Sequence, residues 1–227
     1  MGSIPCLRPE FTTLLAARLL DGESLNLISP HGQGRRRTLD DLHNILPTKS
    51  LIIQMNMRTY RSDYKGFIET FMDSFDCRDH HIKCLSEFLE LLSKEKQKVI
   101  IILHNFDEIR NSKASEHGFS NIFFSDLNTI RNQPNIALLC VCEQRFEHYL
   151  VRADGSPLPD SSLNAQAVEL PALRSDQLLA ELEQRDLPLA DNELPALSEW
   201  LIKQPAPYSI LDQLIPDWFR NRIWQQK

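Results

Sequence analysis

Two uninterrupted apolar runs set the first limit on how this chain folds. Residues 98–103 read KVIIIL and residues 135–142 read NIALLCVC. Neither run alternates, so neither suits a sheet with one face in water, and both have the length of strands buried on two faces of a parallel sheet. A parallel pair requires a crossover connection. Residues 119–130 (FSNIFFSDLNTI) supply one, with apolar side chains at helical spacing.

The remaining segments follow the same alternation. Residues 11–20 (FTTLLAARLL) predict a helix that stops at the turn pair Asp21-Gly22, 25–28 a short strand, 36–46 a helix ending before Pro47, and 50–57 (SLIIQMNM) a second strand. Phe67, Ile68, Phe71, Met72 and Phe75 form one stripe on a helix over 64–75, and 85–92 (LSEFLELL) continue the helical pattern. Residues 151–162, with Gly155, Pro157 and Pro159, have the composition of an exposed loop. Beyond it come a strand over 167–170, a helix opened by an N-cap at Ser175, and helices over 191–202 and 208–214. Strands alternating with helices imply an α/β fold with a central parallel sheet covered on both faces, here over residues 1–163, and a small C-terminal helical lobe over 164–227.

One stretch within this frame carries chemistry. Residues 24–42, SLNLISPHGQGRRRTLDDL, place a short apolar run before a loop with two glycines and a sequence able to start a helix. Strand, glycine loop and helix in that order build a phosphate cradle from backbone N–H groups and a helix N-terminus. Aligned on Gly34, the phosphate-loop pattern G-x-x-x-x-G-K-[ST] meets Ser29 at its first glycine, Arg35 at the lysine and Arg36 at the magnesium-binding hydroxyl. Pro30, His31, Gly32, Gln33, Gly34, Arg35 and Arg36 are therefore the candidate nucleotide-binding residues. A register two residues longer makes Thr38 the hydroxyl, but it sets Arg36 on a glycine. The arginines 35–37 admit a phosphate, an acidic partner or plain solvent, and their place in a glycine loop favours the anion.

Composition narrows the function classes. With 227 residues, a net charge of −6 and a pI near 5.7, the chain as a whole lacks the basic footprint of a general nucleic-acid binder. No apolar run approaches the roughly 20 residues that span a bilayer, and no basic-then-apolar leader opens the chain, so the expectation is a soluble cytoplasmic protein with no membrane partner. An odd number of cysteines, five, fits free thiols in a reducing compartment. Cys77, His80, His81 and Cys84 have residue types that zinc prefers, but they crowd one helical stretch instead of forming two spaced pairs. They are read as core residues, and no metal site is assigned. Trp218, Phe219, Ile223 and Trp224 near the C-terminus pack on the helical lobe or dock a partner.

The order of these motifs resembles the P-loop ATPases of the STAND and AAA+ type, above all bacterial ATPase domains of signalling and conflict proteins. In that family the third strand ends in D-x-x-D-E, to which LHNFDEI corresponds, with His104 at the first acid and Asp107 and Glu108 at the last pair. NIALLCVCEQRF places Glu143 or Gln144 at a polar sensor position. VELPALRSDQLLAEL and QPAPYSILDQL stand where a short L-x-x-L segment and a helical lid with a G-G-x-P-Y-like turn occur. Pro207 and Tyr208 match there and the glycines do not. The resemblance implies ATP or ADP as ligand, with Asp107 and Glu108 as the catalytic acids. Phosphoryl transfer needs a lysine, a hydroxyl and an acid on magnesium, and a carboxylate that positions water. Three of those four posts are altered, which leaves Mg2+ without its usual ligands. The implied function is a pseudo-ATPase that acts as adaptor or regulatory subunit of a larger protein complex, reaching nucleic acid only through that complex. The alternative is an active ATPase that remodels such a complex, with Arg35 in place of the lysine.

Overall fold

The structure is a computed structural model that describes residues 5–75, 82, 84–185, 187–190 and 192–213. Five parallel strands form one sheet in the order β2-β3-β4-β1-β5. They are β1 (Ser24–Ile28), β2 (Leu51–Asn56), β3 (Val99–His104), β4 (Ile136–Cys142) and β5 (Gln166–Glu169). The helices in chain order are α1 (Pro9–Leu20), α2 (Arg35–Ile45), α3 (Met57–Tyr60), α4 (Tyr64–Ser74), α5 (Leu85–Ser93), α6 (Ser112–Glu116), α7 (Asn121–Thr129), α8 (Ser175–Glu183), α9 (Leu194–Leu201) and α10 (Pro207–Asp212). No helix among the described residues is long and apolar enough to cross a membrane.

The chain divides into two compact units that do not follow chain order. One holds Leu15–Ser29 and Leu46–Glu169; the other holds the described parts of Met1–Leu14, Pro30–Ile45 and Leu170–Lys227. The first unit contains the sheet. Its two apolar runs become β3 and β4, paired in register from Val99↔Ile136 to His104↔Val141, and the side chains on both faces are buried. One face, with Ile53, Met55, Ile101, Leu103, Leu138 and Cys140, packs on α4, α5 and α7 through a cluster of aromatic rings. Ring centroids lie 4.8 Å apart for Phe67 and Phe71, 5.0 Å for Phe119 and Phe123, and 5.1 Å for Phe106 and Tyr149.

Asn26, a polar side chain at the centre of β1, is buried and satisfied. Its amide donates to the Tyr149 hydroxyl at 2.8 Å, and the Cys142 thiol donates to its carbonyl at 3.3 Å. Burial pushes the Tyr149 phenol up from its ordinary pKa. Cys140 and Cys142 are buried in β4.

Several boundaries differ from the sequence expectation for local reasons. Ser175 is the first residue of α8 and not its cap; Arg174 precedes the helix, and the Gln177 side chain accepts from the Arg174 N–H at 3.0 Å. α3 and α6 are too short to show a period and form on side-chain caps. Asn56 accepts from Arg58 N–H, and Asn111 accepts from Ala114 N–H. Cys77, His80 and His81 of the cysteine–histidine cluster, and Trp218, Phe219, Ile223 and Trp224, lie outside the described residues.

Phe123 touches the rings of Tyr64, Phe67, Phe106, Phe119 and Phe124 and is buried. Phe123→Ala is expected to cost about 3–5 kcal/mol, read as a shift of the urea unfolding midpoint.

Candidate functional site

The glycine loop belongs to the second unit. Strand β1 ends at Ile28, and after Ser29 the chain turns through Pro30–Gly34 into α2. Gly32 and Gly34 both adopt φ of 75°, the left-handed region that glycine enters without a Cβ clash. Their surroundings require glycine as well. A Cβ on Gly32 overlaps Ala206, and one on Gly34 lies 3.0 Å from the Tyr208 ring and 3.1 Å from Leu7 Cδ2. The loop is also tied at its backbone, because Tyr208 N–H donates to Gly32 O at 2.8 Å.

A second tie comes from a residue with no sequence signature. Arg8 is 2% exposed, and its guanidinium donates to Gln33 O at 2.7 Å, to Thr38 Oγ1 at 3.1 Å and to Pro171 O at 3.0 Å. Burial pulls Arg8 down to about 10, so it stays charged at neutral pH. Its three carbonyl and hydroxyl acceptors replace the hydration it loses.

The three arginines of the loop meet three fates. Arg35 is half-buried and Arg36 is exposed. Arg37 turns to the helical lobe, where it pairs with Asp41 and lies 3.5 Å from Glu181. Burial by itself lowers the Arg37 pKa, but Asp41 and Glu181 outweigh it and hold the guanidinium above its ordinary value. Thr38 donates to Gly34 O at 3.2 Å and accepts from Arg8, so its hydroxyl serves α2 and its own loop. His31 is exposed, with Nε2 3.4 Å from Ser209 Oγ.

In the sheet unit, a cleft of about 490 Å³ lies at the carboxyl ends of β2, β3 and β4. Arg58, Arg61, Asp107, Glu108, Lys113 and Glu143 are among its lining. After His104 the backbone passes through Asn105 in a left-handed conformation (φ 53°), and a 3-10 turn, Phe106–Ile109, presents the two acids. The Asn105 amide donates to Asn56 Oδ1 at 2.8 Å, which couples the ends of β3 and β2. Asp107 Oδ2 accepts from Glu143 N–H at 3.0 Å, and Glu108 pairs with Arg58 at 2.6 Å. The candidate acids thus share one cleft with the strand-end residue Glu143.

Neither a protein-family model nor a curated protein sequence matches the chain. Its architecture does match solved structures. Cdc6p from Pyrobaculum aerophilum is similar with a TM-score of 0.57 at 14% identity, over 88% of this chain and 55% of that one. Domain III of the Thermotoga maritima replication initiation protein DnaA gives 0.55 at 13% identity, over 98% of this chain and 88% of that one. PCH-2 from C. elegans gives 0.50 at 14% identity, over 91% and 61%. The fold is that of the AAA+ P-loop ATPases. The chain spans about half the length of the Cdc6p structure. Identities of this size carry the AAA+ architecture and assign no residue a role.

The AAA+ frame accounts for the strand order. β4 sits between β1, which leads to the glycine loop, and β3, which leads to Asp107 and Glu108. What the sequence did not signal is the set that grips the loop: Arg8, Asp41, Glu181 and Ala206. Each is an ordinary residue type, and contacts across 163 positions, as between Arg8 and Pro171, leave no local pattern.

Gly155 separates the two reasons for glycine, because it has φ of 80° with nothing within 4 Å of a built Cβ. Gly155→Ala should cost about 1–2 kcal/mol from the backbone alone. Gly32→Ala should cost about 1–3 kcal/mol more, because the same strain is joined by overlap with Ala206. Urea unfolding of the two variants side by side gives the difference.

Proposed function

We propose that this chain is a nucleotide-binding-type AAA+ domain that does not turn over ATP and works as an adaptor or regulatory subunit of a larger protein complex. The observation that supports it most is the occupation of the catalytic posts. Arginines stand at the lysine and hydroxyl positions, Thr38 Oγ1 is engaged by Gly34 O and Arg8, and Glu108 is paired with Arg58. An arginine fork is bulkier than an ammonium and is not a conservative replacement in a tight loop.

The residues fit a phosphate better than a magnesium ion. Gly32 and Gly34 have the positive φ that a glycine-rich phosphate loop uses, and α2 begins directly after them. The magnesium post is not met, because Arg36 has no hydroxyl and His104 stands at the first acid. In this reading ATP or ADP contacts Gly32, Gly34 and Arg35, with Pro30, His31, Gln33 and Arg36 around them, and Asp107 and Glu108 are the remnant acids. In chain order, 1–163 is the P-loop NTPase-like part and 164–227 the lid-like helical part. The motif order supports the STAND-type resemblance and a bacterial setting, and the odd cysteine count fits the reducing cytoplasm. One structural neighbour is a domain of a replication initiation protein, which is in keeping with nucleic acid being reached through the complex.

A turnover assay with ATP and magnesium, run beside thermal unfolding with ATP and ADP, tests this. Turnover should equal the buffer blank. Nucleotide at tenfold excess over its dissociation constant should add about 1.4 kcal/mol to stability, and a millimolar affinity demands millimolar ligand to reach that. Magnesium-dependent turnover that disappears in an Asp107→Ala/Glu108→Ala variant would instead establish the active ATPase.

A further inference from the structure

We infer that α10 is a latch that holds the glycine loop closed against a nucleotide polyphosphate; this rests on the phosphate-loop reading above and adds its regulation. Three attachments build the latch. The first turn of α10 takes a loop carbonyl, with Tyr208 N–H on Gly32 O at 2.8 Å. Ala206 and the Tyr208 ring cover Gly32 and Gly34, so a ligand approaching from that side meets them first. The Tyr208 hydroxyl donates to Glu181 Oε1 at 2.8 Å.

Glu181 is the hub. It is 8% exposed, and besides Tyr208 it faces Arg37 on its other oxygen at 3.5 Å and Arg185 at 3.4 Å. Arg37 pairs in turn with Asp41, whose Oδ2 accepts from Leu7 N–H at 2.9 Å. Arg185 closes the far end of α10, donating to Leu211 O at 3.0 Å and to Asp212 at 2.8 Å. One buried carboxylate therefore joins α8, α2 and α10. α10 itself is a single short helix of six residues, so few bonds hold it and few need to break.

If the latch must open before the loop is filled, the apparent affinity for ADP is reduced by the fraction of molecules that are open. Tyr208→Phe keeps the ring and removes only the hydroxyl bond to a charged acceptor. Hydrogen exchange of the Tyr208 amide should speed up roughly ten- to hundredfold, and calorimetric ADP affinity should rise by a similar factor. Amides of β3 should exchange at the rate of the unmodified chain. Glu181→Gln, which keeps the volume and removes the charge, should reproduce both effects and serves if Tyr208→Phe does not fold. Unchanged exchange in both variants overturns the latch. Faster exchange with unchanged ADP affinity overturns its gating of the loop. Neither readout uses turnover, so ATP hydrolysis by the unmodified chain defeats the non-hydrolysing reading and leaves the latch standing.

Discussion

Every other feature of the sheet unit adapts to the unbroken apolar surface of β3 and β4. Val99–Leu103 and Ile136–Cys142 present no charged side chain to either face, and all their residues are buried. Burying each of these side chains fully is worth about 1.5–3 kcal/mol, which a sheet open on one side would forfeit for half of them. Carboxylates are thereby driven to the strand ends. Asp107, Glu108 and Glu143 all follow a carboxyl end, and they share a cleft because parallel strands finish at the same edge. Asn26 is the exception that shows the rule, since it enters β1 only with the Tyr149 hydroxyl and the Cys142 thiol as partners.

The same physics separates Asp107 from Glu108 in that cleft. Glu108 and Arg58 form a close pair, but Arg58 is 62% exposed, and an ion pair in such a place contributes at most about 1 kcal/mol. Such a pair is easily exchanged for another partner. Asp107 is different, because its acceptor capacity is directed at a backbone N–H at the end of β4, where it helps fix the strand terminus. One carboxylate is held by a side chain that can swing away and the other by main chain that cannot.

The strands and the longer helices were legible because period and burial coincide in them. KVIIIL and NIALLCVC can form little else, and the stripe of Phe67, Phe71 and their neighbours marks α4. Legibility failed where structure rests on single contacts. Asn56 and Asn111 cap helices of four and five residues, lengths in which no period develops. Asn105 takes the left-handed conformation that asparagine tolerates, and its amide bond to Asn56 holds it there across 49 positions, a contact that leaves no local pattern. The arginine triplet was legible as a charge run but not as three different fates, because Arg37's partner Glu181 lies in a helix far along the chain. Arg8 had no signal at all: a buried guanidinium and an exposed one look the same in sequence.

Glu181, Arg37, Asp41, Arg185 and Tyr208 together pose a question of purpose, not of stability. Removing charges from water costs several kcal/mol per ion, and an apolar cluster of equal volume is often as stable or more so. Three polar side chains around one carboxylate, with Asp41 behind Arg37, are therefore a poor way to glue helices together. They are a good way to fix one arrangement, because each bond has a direction. That arrangement sets α10 on Gly32 and Gly34, the two positions where a side chain would not fit. The ionic hub adds directional bonds to the apolar packing of Tyr208 and Leu211, and it does so beside the two glycines of positive φ.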